Sequence, residues 1–294
     1  MSDFRVRCSW LWRIIGVLML AASLGACSTV RLAYNNLPEL AYWWLDDYLD
    51  FNGAQSLRVR EELSGQLAWH RANELPRIGA ILQQAEALAP RDVTAAQVCA
   101  TADDIRARLL VAAERMEPVA AEVATGLDDA QLMQLERKYA KVNAEWRKDW
   151  LDRTPAYQQN KRYEQFLKNG EDFYGPLNEA QRDLLRQQVA QAVWSARATG
   201  AQRQQRQQEA LSMLRRLRSE GASASEARKA IHTYVVQIAN PADGPNRDYQ
   251  QAVLQEACRN VAALHNVTTP AQRDQAVKRL RDYGADVKAL NERR

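Results

Sequence analysis

Five times the chain sets Asn, Asp or Thr three residues ahead of a glutamine that follows alanine: Asn52-Gly53-Ala54-Gln55, Thr94-Ala95-Ala96-Gln97, Asp128-Asp129-Ala130-Gln131, Asn178-Glu179-Ala180-Gln181 and Thr269-Pro270-Ala271-Gln272. Each group reads as a helix start. The leading side chain can accept the unpaired backbone N–H three residues on, while the glutamine reaches back to the leading residue's own N–H. Asn36 with Glu39 and Ser223 with Glu226 offer the same device, and Pro270 suits a first helical turn. The spacings are irregular, so this is shared punctuation and not the period of a solenoid. Thr199-Gly200-Ala201-Gln202 also fits, and marks either a break in one long helix or nothing.

Stops and stripes agree with the starts. Pro90 and Pro155 follow helical runs, and Gly126, Gly175 and Gly221 stand where a left-handed C-cap belongs. Pro76 and Pro118 fall inside helical patterns and should kink or interrupt them. Leu132, Leu135, Tyr139, Val142 and Trp146 form one stripe of three-four spacing, and Val277, Leu280, Gly284, Val287 and Leu290 another. No run alternates with β-branched residues for long. The expectation is an all-α body, an elongated multi-helix bundle of about eight or nine helices over residues 36–294, which a break near 175–200 could divide into two helical subdomains. Residues 179–198 and 201–220 read as one continuous rod of ~60 Å.

Ahead of this body lies an address. Residues 1–13 carry Arg5, Arg7 and Arg13 against Asp3, residues 14–24 are apolar, and Leu24-Gly25-Ala26-Cys27 closes the segment with small residues and a cysteine. That is the order of a secretory signal, and its apolar part falls short of the ~20 residues of a comfortable membrane span. The last four residues resemble the bacterial lipobox. The resemblance implies cleavage after residue 26, acylation of Cys27 on both thiol and amine, and a tether over residues 27–35. Ser28 follows where an aspartate would favour retention in the inner membrane, so outer-membrane anchoring facing the periplasm is the expectation. Several acyl chains would hold the protein stably where one would not.

Without residues 1–26 the chain has 268 residues, 37 of them Lys or Arg and 35 Asp or Glu, for a net charge of +2. Nucleic acid is therefore not an expected partner, because binding by counterion release needs a concentrated basic face. Cys99 and Cys258 remain as a pair in an oxidising compartment, either bridged or as two separate buried thiols. No metal or cofactor is expected. His70, His232 and His265 have neither a second histidine nor a thiolate at ligand spacing, and there is no phosphate loop or nucleophile elbow. His70 and His265 read as solvent-facing or as caps near helix ends. Arg203, Arg206, Arg215, Arg216 and Arg218 read as a solvated helix face, and Trp146, Trp150 and Trp194 as core.

The densest unusual run is residues 40–50, where Leu40, Leu45, Trp44 and Tyr48 share one side of a helix and Asp46, Asp47 and Asp50 another. Its aromatics either fill the core or form a ridge for a partner. The candidate docking residues are Tyr42, Trp43, Asp46 and Asp47, and Trp43 decides between the two, since it lies off the main stripe.

Arg31-Leu32-Ala33-Tyr34-Asn35-Asn36-Leu37-Pro38, the 44–50 run, Ala68-Trp69-His70-Arg71 and residues 266–273 together resemble an uncharacterised family of proteobacterial lipoproteins. That likeness brings no known activity. A weaker one, through Leu127-Asp128-Asp129-Ala130-Gln131 and Leu177-Asn178-Glu179-Ala180-Gln181, is to periplasmic chaperones bearing LTxxQ motifs, which are helical, ATP-independent binders of unfolded clients. The functional expectation is a lipid-anchored interaction module with an envelope protein as partner, not an enzyme. A client-binding chaperone is the alternative and an envelope hydrolase a remote one.

Overall fold

The structure, a computed structural model, describes residues 30–292. The signal segment and Cys27 lie outside the described residues. After helical residues 30–35 come α1 (Leu37–Leu49), α2 (Gly53–Asn73), α3 (Leu75–Leu88), α4 (Ala95–Thr125), α5 (Asp129–Trp146) and a π-helical turn (Arg147–Leu151). They are followed by α6 (Pro155–Tyr174), α7 (Glu179–Ala190), α8 (Ala196–Ser219), α9 (Ala224–Ala239), α10 (Pro245–Asn266) and α11 (Pro270–Glu292). No strand occurs among the described residues, and the fold is all-α.

The twelve helical elements from residue 37 onward outnumber the eight or nine expected. Pro76, which lacks the N–H that would continue a helix, separates α2 from α3 by a break at Glu74. The expected long rod is also two helices, but the interruption falls at residues 191–195, and Thr199-Gly200 lies inside α8. Ser195 caps that helix by accepting the Ala198 N–H. Pro118, by contrast, is carried within the 31 residues of α4.

Both arms of the capping box form at Asn52, Thr94, Asp128, Asn178 and Ser223, and the same two hydrogen bonds join Thr269 to Gln272. Asn36 departs from the expectation, since its amide donates to the Leu32 carbonyl at 2.8 Å and Glu39 pairs with Arg60 instead. Gly175 and Gly221 do take positive φ, at 79° and 56°, whereas Gly126 ends α4 at φ −93°.

Four of these glutamines also reach across the molecule. The Gln181 amide donates to Gln272 Oε1 at 2.7 Å and the Gln272 amide returns a bond to Gln181 Oε1 at 3.0 Å. The remaining N–H of each goes to the carbonyl two residues before the other's cap, Val267 for Gln181 and Pro176 for Gln272. Gln55 and Gln131 repeat the pattern, paired at 2.7 and 3.3 Å and donating to the Gly126 and Asp50 carbonyls. Each carboxamide thus uses both donors and accepts twice, once from its own cap and once from its partner. Two pairs of helix starts, α2 with α5 and α7 with α11, are locked face to face by the motif that begins each helix.

The apolar core is distributed. One cluster joins α4, α8 and α9 through Ala121, Ala124, Leu217, Ala227 and Ile231. A second gathers Tyr174, Leu177, Leu185, Leu264 and Ala276 from α6, α7, α10 and α11, and a third sets Ala89 against Val277 and Leu280 of α11. Helices on either side of the 191–195 break therefore share cores, with α4 packing on α9 and α10, and α11 on α3. A disulfide between Cys99 and Cys258 joins α4 to α10, with Cα atoms 5.4 Å apart.

Candidate functional site

The beginning of the described chain is held to the body by polar contacts on one side. Arg31 Nε donates to Asp286 Oδ1 at 2.8 Å, Arg71 donates to Asn35 Oδ1 at 2.5 Å, and the Tyr34 hydroxyl meets His70 Nδ1 at 2.8 Å. Burial pushes the Tyr34 hydroxyl up to about 12, against the opposing pull of Arg71. Burial also holds the His70 imidazole below its ordinary value, with Glu74 opposing.

Along α1 the docking candidates separate. Tyr42 is buried, its hydroxyl donating to Ser56 Oγ at 3.0 Å and its ring lying 3.5 Å beneath the Arg60 guanidinium. Asp46 Oδ1 accepts the Phe51 N–H at 2.9 Å, and Asp47 pairs with Lys138. Tyr42 is thus turned into the body, while Asp46 closes the end of its own helix and Asp47 stands at the surface. Trp43 is exposed at 63%, and so is Trp44 at 60%. The helix turns Tyr42 inward, and the ion pairs Glu39–Arg60 and Asp47–Lys138 join it to α2 and α5. Leu37, Leu40, Trp43 and Trp44 are left on the outside.

A second concentration of aromatics lies at the π-helical turn. Trp146, Trp150 and Trp194 form a chain with ring centroids 5.6 and 5.0 Å apart, joining α5, the turn and the 191–195 break. Arg203, Lys161 and Arg162 lie over the three rings at 5.1, 4.6 and 4.5 Å. Trp194, Arg162, Arg197, Gln158 and Leu151 line a cleft of about 310 Å³. Burial lowers the Arg162 pKa, with Glu256 opposing. The spacing of Trp146 and Trp150 marks one helix face, but nothing local points to Trp194, which the helix break brings in. Gly200 makes room for this cluster, since a Cβ there would stand 2.7 Å from Trp146 Nε1, itself donating to the Ala196 carbonyl. Gly200→Ala is expected to lower stability by about 1–3 kcal/mol, read as a shift in the urea midpoint. An unchanged midpoint would show that the indole moves freely.

Two of the other arginines of α8 find partners: Arg215 pairs with Glu136 and Arg218 with Asp129. His265, expected near solvent or as a cap, is buried, between the Tyr174 hydroxyl at 2.9 Å and the Arg91 carbonyl at 2.8 Å. That carbonyl can only accept, so Nε2 carries a proton. Buried Glu117 meets His232 Nδ1 at 2.7 Å and Arg228 at 3.4 Å. Among the described residues no group of three or more His, Cys, Asp or Glu side chains is disposed to hold a metal ion.

A family model described as a family of unknown function, DUF6279, matches residues 47–242. No curated protein and no solved structure matches the chain. The matched segment runs from Asp47 through the aromatic cleft to the end of α9, covering 196 of the 294 residues, and the chain belongs to this uncharacterised family.

Proposed function

We propose that this protein is a lipid-anchored interaction module of the bacterial cell envelope, an elongated helical body held at the outer membrane by acyl chains on Cys27. The observation that carries the reading is Leu24-Gly25-Ala26-Cys27 at the end of a basic-then-apolar leader. No helix among the described residues is long and apolar enough to cross a membrane, so such an anchor would supply the attachment. The cleft between α6 and α8, with Arg162 stacked on Trp194 and Arg197 at its rim, suits an acidic segment of an envelope protein partner. The interaction module is favoured over the chaperone because Gln131 and Gln181, which carry the chaperone likeness, are occupied in pairing helix starts within the chain.

Metabolic labelling with a palmitate analogue tests the anchor. The wild-type protein is expected to carry label and to fractionate with outer membranes, and Cys27→Ala to carry none. Ser28→Asp is expected to move the labelled protein to the inner-membrane fraction. Label that survives Cys27→Ala overturns the proposal.

A further inference from the structure

The exposed apolar side chains at the start of the described chain fall into one continuous stretch. Val30, Leu32, Leu37, Leu40, Trp43 and Trp44 are each at least 42% exposed. On α1 the four largest lie within about a third of the helix circumference at 100° per residue. The charged groups of the segment are paired: Arg31 with Asp286, Glu39 with Arg60 beside this arc, and Asp47, which falls within the arc one turn beyond Trp43, with Lys138. Tyr34 on His70 and Tyr42 on Ser56 fix the rotation of the segment against the body, so the apolar side is a fixed face and not a fraying end.

We propose that this face lies on the lipid bilayer, with the axis of α1 parallel to the membrane plane. The inference rests on the anchoring proposed for Cys27. Only Ser28 and Thr29 separate that residue from Val30, a reach of roughly 10 Å at full extension. The acyl chains would therefore deliver this stretch to the membrane surface. Residues 37–44 span about 10 Å along α1, so Leu37 and the two tryptophans meet the interface together when that helix lies flat. Composition favours lipid over a protein partner. Two adjacent indoles, each an apolar body with one N–H, suit the headgroup boundary, and the leucines beside them suit the acyl region beneath it. The result is a fixed orientation: the lipid sets the distance from the membrane, and α1 sets which side of the body faces the periplasm.

The test uses the lipidated protein in vesicles of phosphatidylethanolamine and phosphatidylglycerol, with and without brominated acyl chains. Trp43 and Trp44 are two of the six tryptophans beyond Cys27. Bromine is expected to quench about a third of the emission, and Trp43→Ser with Trp44→Ser to abolish that quenching while the circular dichroism stays unchanged. In the wild type, iodide added to the water is expected to spare the same third. Absence of bromine quenching in protein that carries its lipid overturns the proposal and leaves the anchor intact. Shielding from iodide without bromine quenching, rising with protein concentration, would assign the face to a second copy and overturn it equally. Protein that carries no lipid on Cys27 refutes the anchor itself.

Discussion

Gln181→Leu is expected to lower the stability of this protein by about 3–5 kcal/mol, far more than the loss of an ordinary helix cap. Gln181 is 1% exposed, and its carboxamide satisfies the Asn178 N–H, the Val267 carbonyl and the Gln272 amide at once. A leucine matches its bulk but leaves those groups without partners in a site closed to water, at about 1–3 kcal/mol for each unsatisfied group. At roughly 2–4 °C per kcal/mol, the thermal midpoint should fall by about 10 °C. Gln97→Leu is the comparison that isolates the cause. Gln97 completes the Thr94 box in the same way, but is exposed and bonds only within that box, so its loss should cost about 1 kcal/mol. Gln181→Leu combined with Gln272→Leu should be less harmful than the sum of the two, because removing both amides leaves no orphan within the pair. Equal losses for Gln97 and Gln181, or strict additivity in the double variant, would mean that the pairing contributes nothing beyond the caps.

That contrast marks where the sequence is readable. A capping box is a local device: Asn178 and Gln181 lie three residues apart, and their geometry follows once the chain turns into a helix. The partner of Gln181 lies 91 residues away and that of Gln55 lies 76 residues away. Nothing within either motif states which two of the helix starts will meet. The same limit explains α1. Spacing identifies one side carrying Leu40, Leu45, Trp44 and Tyr48, yet Tyr42 is the residue that is buried. The face turned inward is the one that meets α2 and α5, where the Tyr42 hydroxyl donates to Ser56. Among the aromatic cleft residues, the Trp146–Trp150 spacing is legible, while Trp194 enters from a helix break at residues 191–195, inside the stretch that reads as one rod. Helix identity was thus local and readable, whereas helix pairing and the exposed face depended on distant side chains.

Breaking the Cys99–Cys258 link is expected to lower stability by about 2–5 kcal/mol without loss of fold. The bridge spans 159 positions of sequence, and the chain-entropy argument gives a gain near the top of that range for so long a loop. Residual structure in the unfolded chain reduces the gain in practice. The fold should persist because the joined segments are held independently. Asn266 at the end of α10 accepts from the Val93 N–H at 2.9 Å and donates to the Val93 carbonyl at 3.0 Å, just before α4 begins. Arg273 closes the same corner by pairing with Asp92 at 2.5 Å. The variant Cys99→Ala with Cys258→Ala should therefore keep the helical circular dichroism of the wild type and unfold at a lower urea concentration with a cooperative transition. Reductant should bring the wild-type midpoint down towards that of the variant and leave the variant's own midpoint unmoved. A wild-type midpoint indifferent to reductant, together with two titratable thiols in the unfolded protein and no shift on a non-reducing gel, would show that the cysteines are not bridged in the cell. The stability of the α4–α10 corner would then rest on the Asn266 and Arg273 contacts alone.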